Sequence, residues 1–197
     1  MKKSLGAKTI LYPTPVLVVG SFNPDGRANA MTAAWGGICC SQPPAVAVSL
    51  RKSRQTYDNV MEQRAFTVHV ATEPLVREAD YLGIASGRTI DKLANAELRW
   101  QPSTLVHAPI LEDFPLVLEC RMLQTVEIGV HVQMIGEIVD VKAEEGMLNP
   151  DNRLDLERLK PLVYAPEHNE YRVMGGVVQK AFSTPTADFS KQRRGRS

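Results

Sequence analysis

Residues 45–56 read Ala45-Val46-Ala47-Val48-Ser49-Leu50-Arg51-Lys52-Ser53-Arg54-Gln55-Thr56, and two different periodicities meet in them. The first six are a near-continuous apolar run, the pattern of a strand buried on both faces. From Gln55 onward, Tyr57, Val60 and Met61 fall at i, i+3 and i+4, one apolar stripe of a helix over 55–63. A strand therefore runs into a helix, with Ser53 placed as N-cap and Thr56 at the third helical position. Such a junction aims free backbone N–H groups, the Ser53 and Thr56 hydroxyls, and the cations of Arg51, Lys52 and Arg54 at one point. The positive end of a helix dipole beside cationic side chains favours an anion, above all a phosphate. The competing reading is a capped helix whose cations are merely solvated.

Working outward, 16–19 is a β-rich run, Phe22-Asn23-Pro24-Asp25-Gly26-Arg27 is a turn, and 28–34 returns as the second strand of a hairpin. Ser41-Gln42-Pro43-Pro44 is a further turn. Downstream, 66–70 reads as a strand. Thr72-Glu73-Pro74 opens a second helix, with Thr72 as cap and Pro74 in the first turn. Leu75, Ala79 and Leu82 give that helix its buried side, and Gly83 and Gly87 mark its end and the following loop. A short helical turn is expected at 91–94. Segments 116–126 and 130–142 form a long hairpin around Glu127-Ile128-Gly129. A brief helix at 154–159 stops at Pro161, and 162–164 and 171–173 are two short strands. With no repeat and no linker, the chain reads as a single domain over 1–197, its core at about 10–185 and a flexible basic tail at 186–197. Many short strands with few helices predict a mainly β fold, an antiparallel barrel with helical insertions, and not a βαβ sheet.

The chain has 197 residues, 44% hydrophobic and 23% charged, with a net charge of +1. That balance excludes a global field drawing it to nucleic acid or membrane. With 6% aromatic residues, a nucleic-acid binder relying on the Arg-rich tail is disfavoured, and that tail reads as a solvated terminus. No apolar run has the length of a signal or a membrane span, so the expected location is the cytoplasm. Cys39 and Cys40 are adjacent and Cys120 is distant, which gives neither a disulfide framework nor a zinc spacing. The vicinal pair reads as two reduced thiols in a loop near a strand, a strained disulfide being the alternative.

Familiar catalytic signatures are missing from the sequence: no GxGxxG after a strand, no Walker loop, no GxSxG elbow and no triad spacing. No catalytic side chain and no metal ligand is therefore assigned. Asp25, Asp91 and Asp113 read as turn residues. Asn29-Ala30-Met31-Thr32-Ala33-Ala34-Trp35-Gly36-Gly37 suits a loop lying against a flat ligand. Asn29 offers a donor and an acceptor for a pyrimidine-like edge, and Trp35 a packing surface; a hydrogen-bonded Asn and a core Trp are the alternative. Lys92 follows Ser86-Gly87-Arg88-Thr89-Ile90-Asp91 beside a short helical turn and reaches toward a ligand phosphate or a developing ring anion, or stays an exposed lysine. His69 reads as a satisfied core residue. His107 and His168 fall in loops without partners, and His131 sits at a barrel rim.

In this order, Gly26-Arg27-Ala28-Asn29-Ala30-Met31-Thr32-Ala33, Gln42-Pro43-Pro44, Arg51-Lys52-Ser53-Arg54-Gln55-Thr56, Ser86-Gly87-Arg88 with Asp91-Lys92-Leu93, Gly129-Val130-His131 with Ile135-Gly136-Glu137, Leu162-Val163-Tyr164, and Gly175-Gly176 with Ala181-Phe182-Ser183 resemble the FMN-binding split-barrel proteins of the flavin reductase-like group, flavoredoxins above all. Leu93 replaces the usual Phe, a departure that touches packing. The resemblance covers about residues 10–185. It implies a split, Greek-key antiparallel barrel, a homodimer with FMN near the subunit interface, and non-covalent FMN. The activity implied is that of an oxidoreductase in electron transfer or NAD(P)H-dependent flavin reduction, with NAD(P)H or a low-potential redox protein as electron partner. Carried onto this chain, it implies that Asn29 meets the ring, with the Met31, Thr32 and Ala33 backbone and Trp35 close to it. Thr56, with Ser53 and Arg51 nearby, takes the phosphate; Lys92 and His131 supply positive charge or hydrogen bonds, and Tyr164 an aromatic contact. A second class of function stays open: a non-catalytic module that stores flavin or holds another flat anionic cofactor such as haem or pyridoxal phosphate.

Overall fold

The computed structural model describes residues 1–184, so the tail expected at 186–197 lies outside the described residues. The strands are β1 (Thr14–Pro15), β2 (Leu17–Phe22), β3 (Ala28–Ala33), β4 (Gly36–Ser41), β5 (Pro44–Arg51), β6 (Ala65–Val70), β7 (Trp100–Pro102), β8 (Pro109–Leu111), β9 (Leu116–Ile128), β10 (His131–Ala143), β11 (Leu162–Ala165) and β12 (Glu170–Val173). The helices are α1 (Gln55–Gln63), α2 (Val76–Ile84), α3 (Lys92–Asn95) and α4 (Leu156–Leu159).

Seven strands form one antiparallel sheet in the order β3-β2-β6-β9-β10-β5-β4. β3 and β4 stand at opposite ends of that order, yet only Ala34 and Trp35 separate them in the chain. Two residues bridge the ends of a seven-stranded sheet only when the sheet is rolled up, so the sheet is a barrel closed at this corner. The Ser49 N–H donates to the Trp35 carbonyl at 2.8 Å and fixes the corner against β5.

The barrel interior is packed by alternate residues: Leu17 and Val19, Met31 and Ala33, Val46, Val48 and Leu50, Phe66 and Val68, with Cys120, Met122 and Met134. Val60 joins them from α1, which caps this end of the barrel. The intervening residues Val16, Val18, Phe22, Ala28 and Ala30 pack outward against Ala79 and Leu82 of α2, Leu93 of α3, and Leu111 and Phe114. β2 is buried at every residue because it has packed layers on both faces. The same holds for most of β5, as its unbroken apolar run predicts.

Several elements depart from the sequence reading. Residues 36–41, which include the vicinal cysteines, are strand β4 and not loop; both thiols are free and exposed. Asn29 to Ala33 are ladder residues of β3, as the hairpin reading of 28–34 expects, and not part of a loop over 29–37. A turn precedes α1, with Arg54 N donating to the Arg51 carbonyl. The N-cap is therefore Arg54, not Ser53, and Thr56 is the second helical residue. Thr72 does precede a short 3₁₀ turn at Glu73–Leu75, though its side chain makes no cap hydrogen bond. The long hairpin turns on Gly129 and Val130, where Gly129 takes φ +53. β1, β7 and β8 had no sequence signal of their own.

Candidate functional site

β3 meets α1, the end of α2 and α3 at the end of the barrel that α1 caps, and several buried polar residues gather there. Asn29 is 5% exposed and donates from Nδ2 to Thr56 Oγ1 at 2.8 Å and to Ser21 Oγ at 3.4 Å. Asn59, one turn further along α1, donates to Ser21 Oγ and Asn23 Oδ1 and accepts from Gln55 Nε2. The start of α1 is thus tied to the β2–β3 hairpin through five side chains: Thr56 and Asn59 on the helix, and Ser21, Asn23 and Asn29 on the hairpin.

Lys92 stands outside that network. It is 4% exposed, and its one recorded hydrogen bond is a donation of 3.0 Å to the Leu82 carbonyl. No carboxylate lies within ion-pair distance of it among the described residues. Burial, with a smaller push from the Arg54 cation, lowers the ammonium from 10.5 to about 8. A buried cation without an acidic partner is costly, and an incoming anion relieves that cost.

Lys92, Thr56, Arg54, Asn29, Met31 and Ser86 line one crevice. It is narrow, about 10 Å³, room for a single water. Next to the lining residues Ser86 and Gly87, Arg88 ties this segment to the head of α1: Nε donates to the Ser53 carbonyl at 3.0 Å, while Nη1 and Nη2 reach Gln55 and Asp58. Gly87 makes the close approach possible, since a Cβ there would lie 2.2 Å from Asn29 Oδ1. Gly83 at the end of α2 also lines this crevice, and on its other side it lines a wider cavity of about 300 Å³. Thr32, Ala34, Asp80 and the tyrosines Tyr164 and Tyr171 wall that cavity, the two rings 5.9 Å apart. Thr32 Oγ1 donates to the Ala79 carbonyl and pins α2 to β3. A crevice with hydroxyl, amide and cation groups therefore shares one wall residue, Gly83, with an aromatic-walled cavity. A larger hollow of about 690 Å³ between Lys8 and Glu167 shares none of these residues, and an ion pair crosses it.

The structure brings Asn29, Met31, Thr56 and Lys92 to the crevice, and Thr32 and Tyr164 to the adjoining cavity. Ala33 faces the barrel interior. Trp35 forms the β3–β4 corner, 36% exposed. Ser53 contributes its carbonyl to Arg88. Arg51 and His131 pair in register between β5 and β10, and neither lines the crevice or the cavity. Lys52 pairs with Glu127, so of the three cations foreseen at the junction only Arg54 lines the crevice. Arg88, Gly83, Asp80 and Tyr171 were not foreseen as site residues; Arg88 lay within a quoted motif, whereas Asp80 and Tyr171 meet only through folding, 91 positions apart.

His69 is fully buried: Nδ1 contacts the Val18 carbonyl and Nε2 accepts from Leu111 N, and burial lowers its pKa to about 4. It is the satisfied core histidine the sequence suggests. Asp25, Asp91 and Asp113 hold Arg27, the α3 N-terminus and Arg99 respectively. Among the described residues no group of three or more His, Cys, Asp or Glu side chains is placed to hold a metal, and no helix is long and apolar enough to cross a membrane.

Residues 9–172 match the model of the family described as flavin reductase like domain. The fold is similar to that of flavoredoxin from Desulfovibrio vulgaris (Miyazaki F), with a TM-score of 0.89 and 46% identity over 93% of this chain and 98% of that one. A protein of Aeropyrum pernix is 30% identical over 157 residues, 79% of this chain, and the chain spans 58% of that relative's length. FMN reductase (NADH) RutF of Pseudomonas syringae is 25% identical over 131 residues, 66% of this chain and 71% of that protein.

Proposed function

Since the chain belongs to the flavin reductase-like split-barrel family, whose role is flavin-related redox chemistry, we propose that it binds FMN non-covalently and acts as an electron carrier or NAD(P)H-dependent flavin reductase. The observation that carries FMN over an unphosphorylated flavin is Lys92, a buried cation without an acidic partner in a crevice it shares with Thr56 and Arg54. In this reading the phosphate sits in that crevice and the ring in the neighbouring cavity, with Gly83 between them. The cavity's 300 Å³ is at the lower end of the range for small-molecule sites. Admitting the phosphate requires this narrow crevice to widen, and the half-exposed Arg88 contacts to Gln55 and Asp58 beside it are the ones that would give.

When bound, the flavin supplies the redox chemistry. The chain's own residues position it. Asn29 holds the Thr56 hydroxyl toward the crevice, and Lys92 neutralises charge there. β3 is paired on one side only, so half of its N–H groups face away from β2, free to meet a ring edge. The likeness to flavoredoxin and to an NADH-dependent FMN reductase supports both donors, a redox protein and NAD(P)H. A homodimer belongs to the same reading: Leu123, Val126, Ile128 and Val130 at the β9–β10 hairpin are exposed apolar residues that a second copy would cover.

Purified protein is expected to be yellow, to bleach on anaerobic reduction, and to bind FMN well below micromolar. Colourless protein that takes up no FMN at micromolar concentration defeats the reading. Thr56→Ala is expected to weaken FMN about tenfold or more and riboflavin little, and equal losses for both would remove the phosphate assignment. Turnover with NADH, NADPH or a reduced low-potential protein separates the redox reading from a flavin store, which would bind tightly without turnover.

A further inference from the structure

The cavity walled by Tyr164 and Tyr171 carries one formally charged side chain among its described lining residues, and that charge is negative. Asp80 lies on α2 with its carboxylate at the cavity wall, where Oδ1 accepts a 2.9 Å hydrogen bond from the Tyr171 hydroxyl. No lysine, arginine or histidine lines the cavity, and no described cation lies within ion-pair distance of Asp80. The C-terminal end of α2, with Gly83 and Ile84, forms the same wall. The negative pole of a helix dipole therefore adds to the carboxylate. The positive charges, Lys92 and Arg54, sit in the phosphate crevice instead. One end of the site is cationic and the other anionic.

From this asymmetry we propose that Asp80, restrained by Tyr171, tunes the bound flavin to a low reduction potential. The inference rests on placing the ring in this cavity. Two-electron reduction at neutral pH brings two electrons and one proton to the ring, so the ring gains one negative charge. A fixed carboxylate in a partly buried wall opposes that gain far more than it opposes the neutral oxidised ring. The chain therefore holds oxidised flavin more tightly than reduced flavin. Tyr171 moderates the effect: its donated hydrogen bond draws charge from the carboxylate and keeps it against the wall. The tyrosine's own proton is held firmly, burial first and then the bond to Asp80 raising its pKa from 10. The electrons are thus kept at a potential suited to acceptors below the free flavin couple.

The test is a spectroelectrochemical titration of FMN-loaded protein, with FMN affinity measured separately for the oxidised and reduced states. Asp80→Asn keeps the shape and removes the charge, so the affinity for reduced over oxidised flavin is expected to rise at least tenfold, a positive shift of about 30 mV for a two-electron couple. Tyr171→Phe leaves the carboxylate without its donor and is expected to shift the potential the other way. A purely structural role would move both variants in the same direction or neither. An unchanged or more negative potential in Asp80→Asn overturns the proposal, as does a positive shift in Tyr171→Phe. Should Asp80→Asn not fold, the sign of the Tyr171→Phe shift decides alone. If the wild-type chain binds no flavin, it is the functional reading that fails.

Discussion

Lys92 shows what one residue contributes. In an unfolded chain its ammonium holds a proton up to about 10.5, and in the fold only to about 8. Between those values the unfolded chain binds more protons, so the stability of the ligand-free protein rises with pH across that window. The shift corresponds to roughly 3 kcal/mol of penalty carried below pH 8. Lys92→Met is expected to recover about 1–3 kcal/mol of that in urea unfolding of ligand-free protein at pH 7. An anion beside Lys92 inverts the preference. FMN affinity is expected to be full from pH 7 to 8 and to fall as pH rises beyond it, with riboflavin affinity flat; a flat FMN profile would count against the contact. Gly87→Ala tests the same corner from the backbone, because its Cβ would meet Asn29 Oδ1 at 2.2 Å. The Asn29–Thr56 bond is expected to break and FMN binding to drop at least tenfold by fluorescence titration. Sequence spacing located Lys92 and Thr56, since motif residues keep their order. Lys92's burial was not legible, because it comes from Leu82 and Arg54 arriving from other elements.

At the scale of elements, the periodic ones were readable and the short ones were not. The strand-to-helix junction, the β2–β3 and β9–β10 hairpins and α2 each carry enough apolar repeats to announce themselves. β4 does not: Gly36-Gly37-Ile38-Cys39-Cys40-Ser41 lacks an alternating pattern and has Ile38 as its one strong β-former. Pairing with β5 alone makes it a strand, with a bulge between Ile38 and Cys40. Gly136, at a bulge in β10, shows how tightly the barrel strands close: an added Cβ would lie 2.6 Å from the Phe66 ring. Gly136→Ala is expected to cost about 1–3 kcal/mol by overpacking, read as a lower urea midpoint with an unchanged slope. His69 couples β2, β6 and β8. Its folded pKa of about 4 lies below the unfolded 6.5, so the unfolded chain takes up the proton first as pH falls. Stability is therefore expected to decline between pH 6.5 and 4 by up to about 3 kcal/mol, measurable as a falling urea midpoint.

The whole molecule presents exposed apolar residues on the β9–β10 hairpin, none of which lines the crevice. Light scattering is expected to give twice the 21.8 kDa chain mass, with Val130→Glu shifting it toward the monomer; a monomeric wild type would refute the dimer. By itself the sequence determined the class of fold, the order of its longer elements, the strand-to-helix junction at the head of α1 and a near-neutral charge. These are local or compositional properties, set by periodicity, turn residues and charge. The tertiary structure alone decided that β3 and β4 close the barrel, that Arg88 reaches the head of α1, that Arg51 and His131 pair away from the crevice, and that Tyr171 meets Asp80. Each of those depends on contacts between residues far apart in the chain. Such contacts are chosen by burial and by satisfaction of polar groups in the packed whole, and no window of sequence contains them.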